Sequence, residues 1–231
     1  MKINHREDNA HFISLSDMMT ALMMIFLFIS IAIIQQINKQ QEQIKDITQT
    51  YRNEQESLLA DLRKEFKDDI INWEASINDD MSFVFSSPEV LFDSGKETLK
   101  PKFKEILADF FPRYVSIIKK YQNSIQEIRI EGYTDTDCLA GMNQTIEDCY
   151  FYNMKLSQGR TRSTLQYCLS LNFPEKNFDE LKEFITANGL SFSHLRKING
   201  VEDKNASRRV EFRVLTKAEA KIKDIVKQLN H

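Results

Sequence analysis

Asp17 lies a turn inside the start of the one long apolar segment of this sequence, Leu15-Ser16-Asp17-Met18-Met19-Thr20-Ala21-Leu22-Met23-Met24-Ile25-Phe26-Leu27-Phe28-Ile29. A carboxylate in hydrocarbon costs about 2.5–3.5 kcal/mol at mid-helix on insertion scales, so one that is kept there has work to do. That work is to carry a proton or ion, or to pair inside a bundle. Thr20, one turn on, could hydrogen-bond the carboxyl group or help to coordinate an ion. The plainer alternative is an interfacial carboxylate that reaches the headgroups.

A second set of charged residues sits in the C-terminal half. Asp135 follows Ile130-Glu131-Gly132-Tyr133-Thr134, and Arg160 follows Asn153-Met154-Lys155-Leu156-Ser157-Gln158-Gly159. An aspartate at a strand end can take the ammonium of a zwitterionic peptide group. An arginine at a helix start can take the matching carboxylate through a bidentate fork. The structural alternative makes Asp135 a turn cap and Arg160 one half of an ion pair.

The elements that must position these groups follow from pattern. Residues 13–34 are apolar and just long enough to cross a bilayer. Asp17 and the absence of a small-residue cleavage site argue for a retained span rather than a signal peptide. Lys2 and Arg6 before the span and Lys39 and Lys45 after it leave the positive-inside rule undecided. A head of residues 1–12 and a large C-terminal part fit a cytoplasmic N-terminus and an exported domain. Residues 35–80 are expected to be a helical stalk or linker. Ile37, Ile44, Tyr51 and Leu58 recur every seven residues with Ile47 at a d-type offset, and Leu59, Phe66 and Trp73 continue the step in a shifted frame. That seam suggests a parallel two-stranded stalk, against a single solvated helix.

Residues 81–216 read as a globular domain in which strands alternate with helices. Strands are expected at 81–85, 125–133 and 208–215, with Val210, Phe212 and Val214 inward. Val90-Leu91-Phe92 reads as extended, followed by a turn at Asp93-Ser94-Gly95. Helices are expected over 97–120, with Pro112 kinking or ending it, over 153–171, and over 178–188, closed by Gly189. The tail, 217–231, places Ile222, Ile225, Val226 and Leu229 at helical spacing. The expected fold class is α+β: one N-terminal transmembrane helix, a helical stalk, then an α/β sandwich with a mixed sheet.

Composition removes several function classes. A net charge of -3 offers no basic face for nucleic acid. The four histidines are scattered, and no His/Cys cluster has metal-ligand spacing. No phosphate-cradling Gly-Lys-Ser/Thr loop and no placed hydrolytic triad are present, so neither a cofactor nor an enzyme activity is expected. Of the three cysteines, Cys138 and Cys149 bracket a polar loop and could be joined in an oxidising compartment; the alternative is three free thiols, with Cys168 on a buried helix face.

Asp17-Met18-Met19-Thr20-Ala21-Leu22-Met23 resembles the membrane helix of flagellar-motor stator B subunits, which implies that Asp17 is the ion-carrying residue. The three stretches around Asp135, Arg160 and Ser207-Arg208-Arg209-Val210-Glu211, with Val90 to Gly95 before them, resemble the OmpA-like peptidoglycan-binding domain over about residues 81–216. That resemblance implies that Asp135 and Arg160 anchor the diaminopimelate of a wall stem peptide, with Asn153, Leu156 and Arg209 lining or bracing the site. The resemblance to stator B subunits also implies a dimer of B helices inside a ring of multi-span, MotA-like A subunits. The chain departs from the pattern in a longer 136–152 loop, in Thr161 for the usual Ala, and in Ser207 for the common Asn. Two kinds of B subunit fit: flagellar, and that of Zorya anti-phage defence. The short head, the compact chain and the polar connector favour the second, although Ile37, Ile44 and Ile47 could form a flagellar-type plug. A passive wall tether without ion flux is the reading from another class.

Overall fold

The computed structural model describes residues 5–138 and 145–220, with side chains from Asp17 onward except those of Tyr51, Pro88 and Glu89. The loop 139–144 and the tail residues Ile222, Ile225, Val226 and Leu229 lie outside the described residues. Helix α1 spans His5–Glu65, and the chain divides into two compact units after Gln49.

In the first unit the apolar side chains of Met18, Leu22, Phe26, Ile29 and Ile33 are all exposed, as are those between them on the other helix faces. A helix that is apolar all round needs cover on every side, which water does not give. This segment is long and apolar enough to cross a membrane.

The second unit starts at Thr50. After α1 come α2 (Asp69–Asn72), β1 (Ala75–Ile77), β2 (Ser82–Phe85), α3 (Pro88–Leu91), α4 (Pro101–Lys120), β3 (Ile125–Tyr133), α5 (Ile146–Ser170), α6 (Phe178–Phe184), β4 (Ile185–Gly189), β5 (Lys197–Ile198), β6 (Val201–Glu202), α7 (Lys204–Ser207) and β7 (Arg209–Thr216). Five strands form one mixed sheet in the order β1-β2-β7-β3-β4; β5 and β6 form a separate hairpin. Only the β3–β4 pair is parallel.

Period-2 alternation sorts the sheet into two faces. Phe83, Phe85, Ile128, Ile130, Val210, Phe212 and Val214 face the core with α4. Phe110 of α4 is its hub, with ring centroids 4.6 Å from Phe83 and 5.0 Å from Phe212. The opposite face is charged. Tyr133 donates to Glu131 at 2.7 Å, and Arg209 Nε donates to Glu211 at 2.5 Å. Glu131 and Glu211 lie directly opposite one another in the β3–β7 register.

Four expectations need correction. First, Leu58, Leu59, Leu62, Phe66 and Trp73 are buried in the core of the second unit. The seven-residue repeat there marks a helix packing on its own domain, so residues 50–80 are not free stalk. Arg113 fastens this region, reaching Glu65 and Asp69 at 2.8 Å each. Second, of the two outcomes expected at Pro112, an end to the helix does not occur, because Pro112 sits inside α4. Burial of Phe110, Phe111, Tyr114 and Val115 around it outweighs the roughly 3 kcal/mol that an interior proline costs. Third, residues 185–189 are a strand, not the end of a helix. Ile185 and Ala187 pair with Ile128 and Ile130, and so short an apolar run cannot be assigned by periodicity alone. Fourth, residues 88–91 form a helical turn, with Pro88 at its start; only Phe92 bridges, to Leu99.

The buried α1 residues generate a prediction. Cutting the chain at residue 81 removes β1 and five core side chains, so a fragment 81–231 should show no cooperative melt by circular dichroism, whereas 50–231 should melt in one transition. Phe66→Ala in the intact chain should destabilise the domain by about 3–5 kcal/mol. A cooperative melt of 81–231 matching that of the longer fragment would place α1 outside the core.

Candidate functional site: a charged cleft at the end of the sheet

The cleft forms where α5 meets the end of β3. Gly132 pairs with Gly189 across the β3–β4 edge. A Cβ on Gly132 would stand 2.6 Å from Thr161 Cγ2 and 3.0 Å from the Ser157 carbonyl, so any side chain there would push α5 off the sheet. Ser157 and Thr161 face that contact fully buried. The Ser157 hydroxyl accepts from Ser191 N at 3.1 Å, and Thr134 N donates to the Ser191 carbonyl at 3.0 Å. The loop leaving β3 is thus held down on one side by β4's successor and on the other by α5.

A cleft of about 700 Å³ results, lined among others by Phe92, Asp93, Gly95, Lys100, Thr134, Asp135, Tyr152, Asn153, Leu156, Arg160, Arg208 and Arg209. The five residues expected from sequence, Asp135, Asn153, Leu156, Arg160 and Arg209, are brought together here. Asp17 and Thr20 are on α1, in the other unit.

Asp135 is 5% exposed. Its Oδ1 accepts from Asp137 N at 3.2 Å, while Oδ2 is buried with no hydrogen-bond partner. Thr134 Oγ1 is a second buried polar atom without one. Such atoms are rare in folded proteins, and a bound ligand is one of the explanations for them. Asn153, 2% exposed, donates to the Asp137 carbonyl at 2.9 Å and so ties the Asp135 loop to α5. Cys138 and Cys149 are bridged, with 5.4 Å between their Cα atoms, making the same tie a second time; Cys168 is a buried free thiol.

Arg160 lies in the middle of α5, not at a helix start, because Thr145 caps that helix well upstream through a reciprocal bond with Asp148. Its Nε donates to the Lys96 carbonyl at 3.0 Å and Nη2 to the Asp93 carbonyl at 3.2 Å, and the guanidinium stacks 4.9 Å from the Phe92 ring centre. The turn supplying those carbonyls requires Gly95 at φ +68°, a left-handed backbone that glycine adopts freely. Backbone oxygens therefore aim Arg160 without neutralising it. Burial weakens its hold on its proton, and Asp135 partly restores it.

Arg209 braces the cleft from below. It is 4% exposed, its guanidinium lies 3.7 Å from the Tyr133 ring centre, and it donates to Glu211 and to the His194 and Ser207 carbonyls. Its neighbour Arg208 was missed from sequence. Arg208 Nη1 stands 3.4 Å from Asp135 Oδ2. Adjacency in the same Arg-Arg pair was the available signal, since one side chain of a pair entering a strand must point to the other face. Lys100 and Asp93 were also missed; they pair at 3.4 Å on the rim.

Burial, with Asp137 close by, pushes the Asp135 carboxyl above the ordinary aspartate range, and Arg208 draws it partly back. A carboxyl whose folded pKa exceeds its unfolded one binds more protons when folded, so stability falls as pH rises through that window. Asp135 should thus cost the free domain stability at neutral pH and none below the unfolded pKa near ~4. Asp135→Asn is expected to raise the melting temperature at pH 7 by about 2–4 °C, the shift that roughly 1 kcal/mol gives a domain of this size. The gain should vanish below about pH 4. A lower melting temperature at pH 7 would show that Asp135 stabilises the fold.

Residues 91–209 match the OmpA family. The chain is 44% identical to the Zorya protein ZorB of Escherichia coli (Crooks strain), over 96% of this chain and 94% of that protein. It is 26% identical to ZorB of a second Escherichia coli strain, over 90% of this chain and 82% of that one. A solved MotB-like protein from Desulfovibrio vulgaris is 21% identical, covering 74% of this chain and 94% of its own, at a TM-score of 0.48. With identity sustained from the apolar helix through the cleft, the chain belongs to the ZorB proteins of Zorya, and its cleft-bearing domain is of the OmpA family.

Proposed function

We propose that this chain is the B subunit of an ion-driven motor in the bacterial inner membrane, fixed to peptidoglycan and acting in anti-phage defence. The observation that carries the reading is the cleft itself. It holds a buried carboxylate with one oxygen that makes no hydrogen bond and, on α5, a cation aimed by backbone carbonyls. That pair suits a zwitterion, and the side chain of diaminopimelate in a wall stem peptide ends in an ammonium and a carboxylate on one carbon. Asp135 takes the first and Arg160 the second, in charge-assisted bonds strengthened by exclusion of water. Leu156 supplies apolar contact, and Asn153 and Arg209 hold the walls.

The apolar part of α1 crosses the membrane once, with the N-terminus cytoplasmic and the cleft domain periplasmic. The Cys138–Cys149 bridge supports that side, since disulfides persist in oxidising compartments. Two copies pair along Ile37, Ile44 and Ile47 inside a ring of multi-span A subunits, ZorA or MotA-like. Asp17, helped by Thr20, carries the ion, most simply a proton. Protonation changes its pairing with the ring, and about 2.3 kcal/mol per charge per 100 mV is the driving force.

Two experiments separate the parts of this reading. Detergent-solubilised full-length protein should sediment with purified sacculi, and Asp135→Ala or Arg160→Ala should each reduce retention by about tenfold or more, as loss of one partner of a buried charged pair does. Retention unchanged in both variants removes the site. Cells carrying the whole system should lose protection in a phage plating assay with Asp17→Asn, down to the level of cells without the gene, with wall binding and swimming unchanged. Protection that survives Asp17→Asn makes the protein a passive tether, and altered swimming moves it to the flagellar kind.

A further inference from the structure

We infer that Arg208 is a resident placeholder in the ammonium seat of the cleft, one that an incoming ammonium displaces into the neighbouring groove. The inference rests on the proposed wall-binding reading and goes on to say what sets the affinity and selectivity of that site.

Asp135 and Arg208 form an unequal pair. The Asp135 side chain is 7% exposed and that of Arg208 is 37% exposed. Nη1 approaches Oδ2 to 3.4 Å, close enough to neutralise it but without making a hydrogen bond, since Oδ2 has none. Arg208 Nε is also buried without a partner. This guanidinium is therefore poorly satisfied where it stands. Its best contact points away from Asp135: Nη2 donates to Asn205 Oδ1 at 2.6 Å. A ligand ammonium can approach Oδ2 to full hydrogen-bond distance, with three donors on a compact charge, which a guanidinium tethered before β7 does not manage.

The place to which Arg208 retreats is already built. A second groove of about 520 Å³ adjoins the cleft and shares Asp137 and Arg208 with it. Its other lining residues are Ile198, Val201, Glu202, Asp203, Lys204 and Asn205. It thus carries three carboxylates against Lys204 and Arg208 itself. Lys204 is paired with Asp137, and Glu202 accepts from the Thr136 hydroxyl at 2.6 Å. The groove stays net acidic when Arg208 is counted out, so moving the guanidinium a short way toward Asn205 costs little and leaves Asp135 to the ligand.

The charged groups around Asp135 fix the pH behaviour. Asp137 and Glu202 disfavour its charge; Arg208, Arg160 and Lys204 favour it. Removing Arg208 removes a competitor for the seat and also one of the cations that keep Asp135 ionised. Affinity should therefore rise at high pH, while the loss of binding on acidification should begin at a higher pH.

The test is isothermal titration of full-length protein in detergent with the L-Ala-D-Glu-meso-diaminopimelate tripeptide. At pH 8, Arg208→Gln should bind about two- to fivefold more tightly than the natural chain, the range that a partly exposed ion pair is worth. Arg208→Lys should return toward the natural affinity. The advantage of Arg208→Gln should shrink as pH falls. Asn205→Asp, on an exposed side chain that does not threaten folding, should also tighten binding by drawing Arg208 into the groove. The same tripeptide with the side-chain amine of its diaminopimelate acetylated should gain nothing from either change. Weaker binding by Arg208→Gln, or no change, with Asp135→Ala still abolishing binding, overturns the placeholder and leaves the wall site standing. Weaker binding by Asn205→Asp does so independently. Absence of tripeptide binding by the natural chain defeats the wall reading itself, and the placeholder with it.

Discussion

The contact on which the rest depends is the close approach of α5 to the end of the β3–β4 pair, allowed by Gly132. Two segments far apart in sequence meet there. One is the loop leaving β3 with Thr134 and Asp135; the other is the helix carrying Asn153, Leu156 and Arg160. Were α5 lifted by the width of one methyl group, Asn153 would lose the Asp137 carbonyl and Ser157 would lose Ser191 N. The buried charge of Asp135 is tolerable only because this packing over-determines the loop around it.

That charge is also where the fold and its use pull apart. A domain selected for stability alone would not bury a carboxylate with an open oxygen beside a guanidinium aimed by carbonyls. The apolar face of the same sheet shows how the cost is met. Seven aromatic and aliphatic side chains from β2, β3 and β7 pack on α4, and the end of α1 with the turn after it adds Leu58, Leu62 and Phe66. Rigidity supplied there holds the charged side chains of the rim in place, as a preorganised binding site requires.

Much of this was legible in the sequence, for identifiable reasons. β3 and β7 announced themselves by strict alternation, and Gly95 marked its turn because a left-handed backbone needs it. Asp135 and Arg160 could be singled out through the resemblance of the stretches around them to the OmpA-like domain; taken alone, each reads equally well as a turn cap or one half of an ion pair. What stayed hidden was tertiary. Leu58, Phe66 and Trp73 repeat every seven or eight residues whether they meet a second copy or their own domain, and periodicity does not name the partner. Residues 185–189 satisfy a helix pattern equally well, and only parallel pairing with β3 makes them a strand. For Arg208 the Arg-Arg adjacency was the only sign, and which of the two faces Asp135 is set by strand register, which a single chain of letters does not display.

The central claim is that the cleft grips both ends of a zwitterion, the ammonium at Asp135 and the carboxylate at Arg160. It is tested most directly by titrating the full-length protein with two stem tripeptides, one ending in meso-diaminopimelate and one in lysine, which keeps the side-chain ammonium and lacks the side-chain carboxylate. The account predicts that the lysine peptide binds at least about tenfold more weakly, and that Arg160→Ala erases the difference between the two. Equal affinity for both peptides in the natural chain would contradict it.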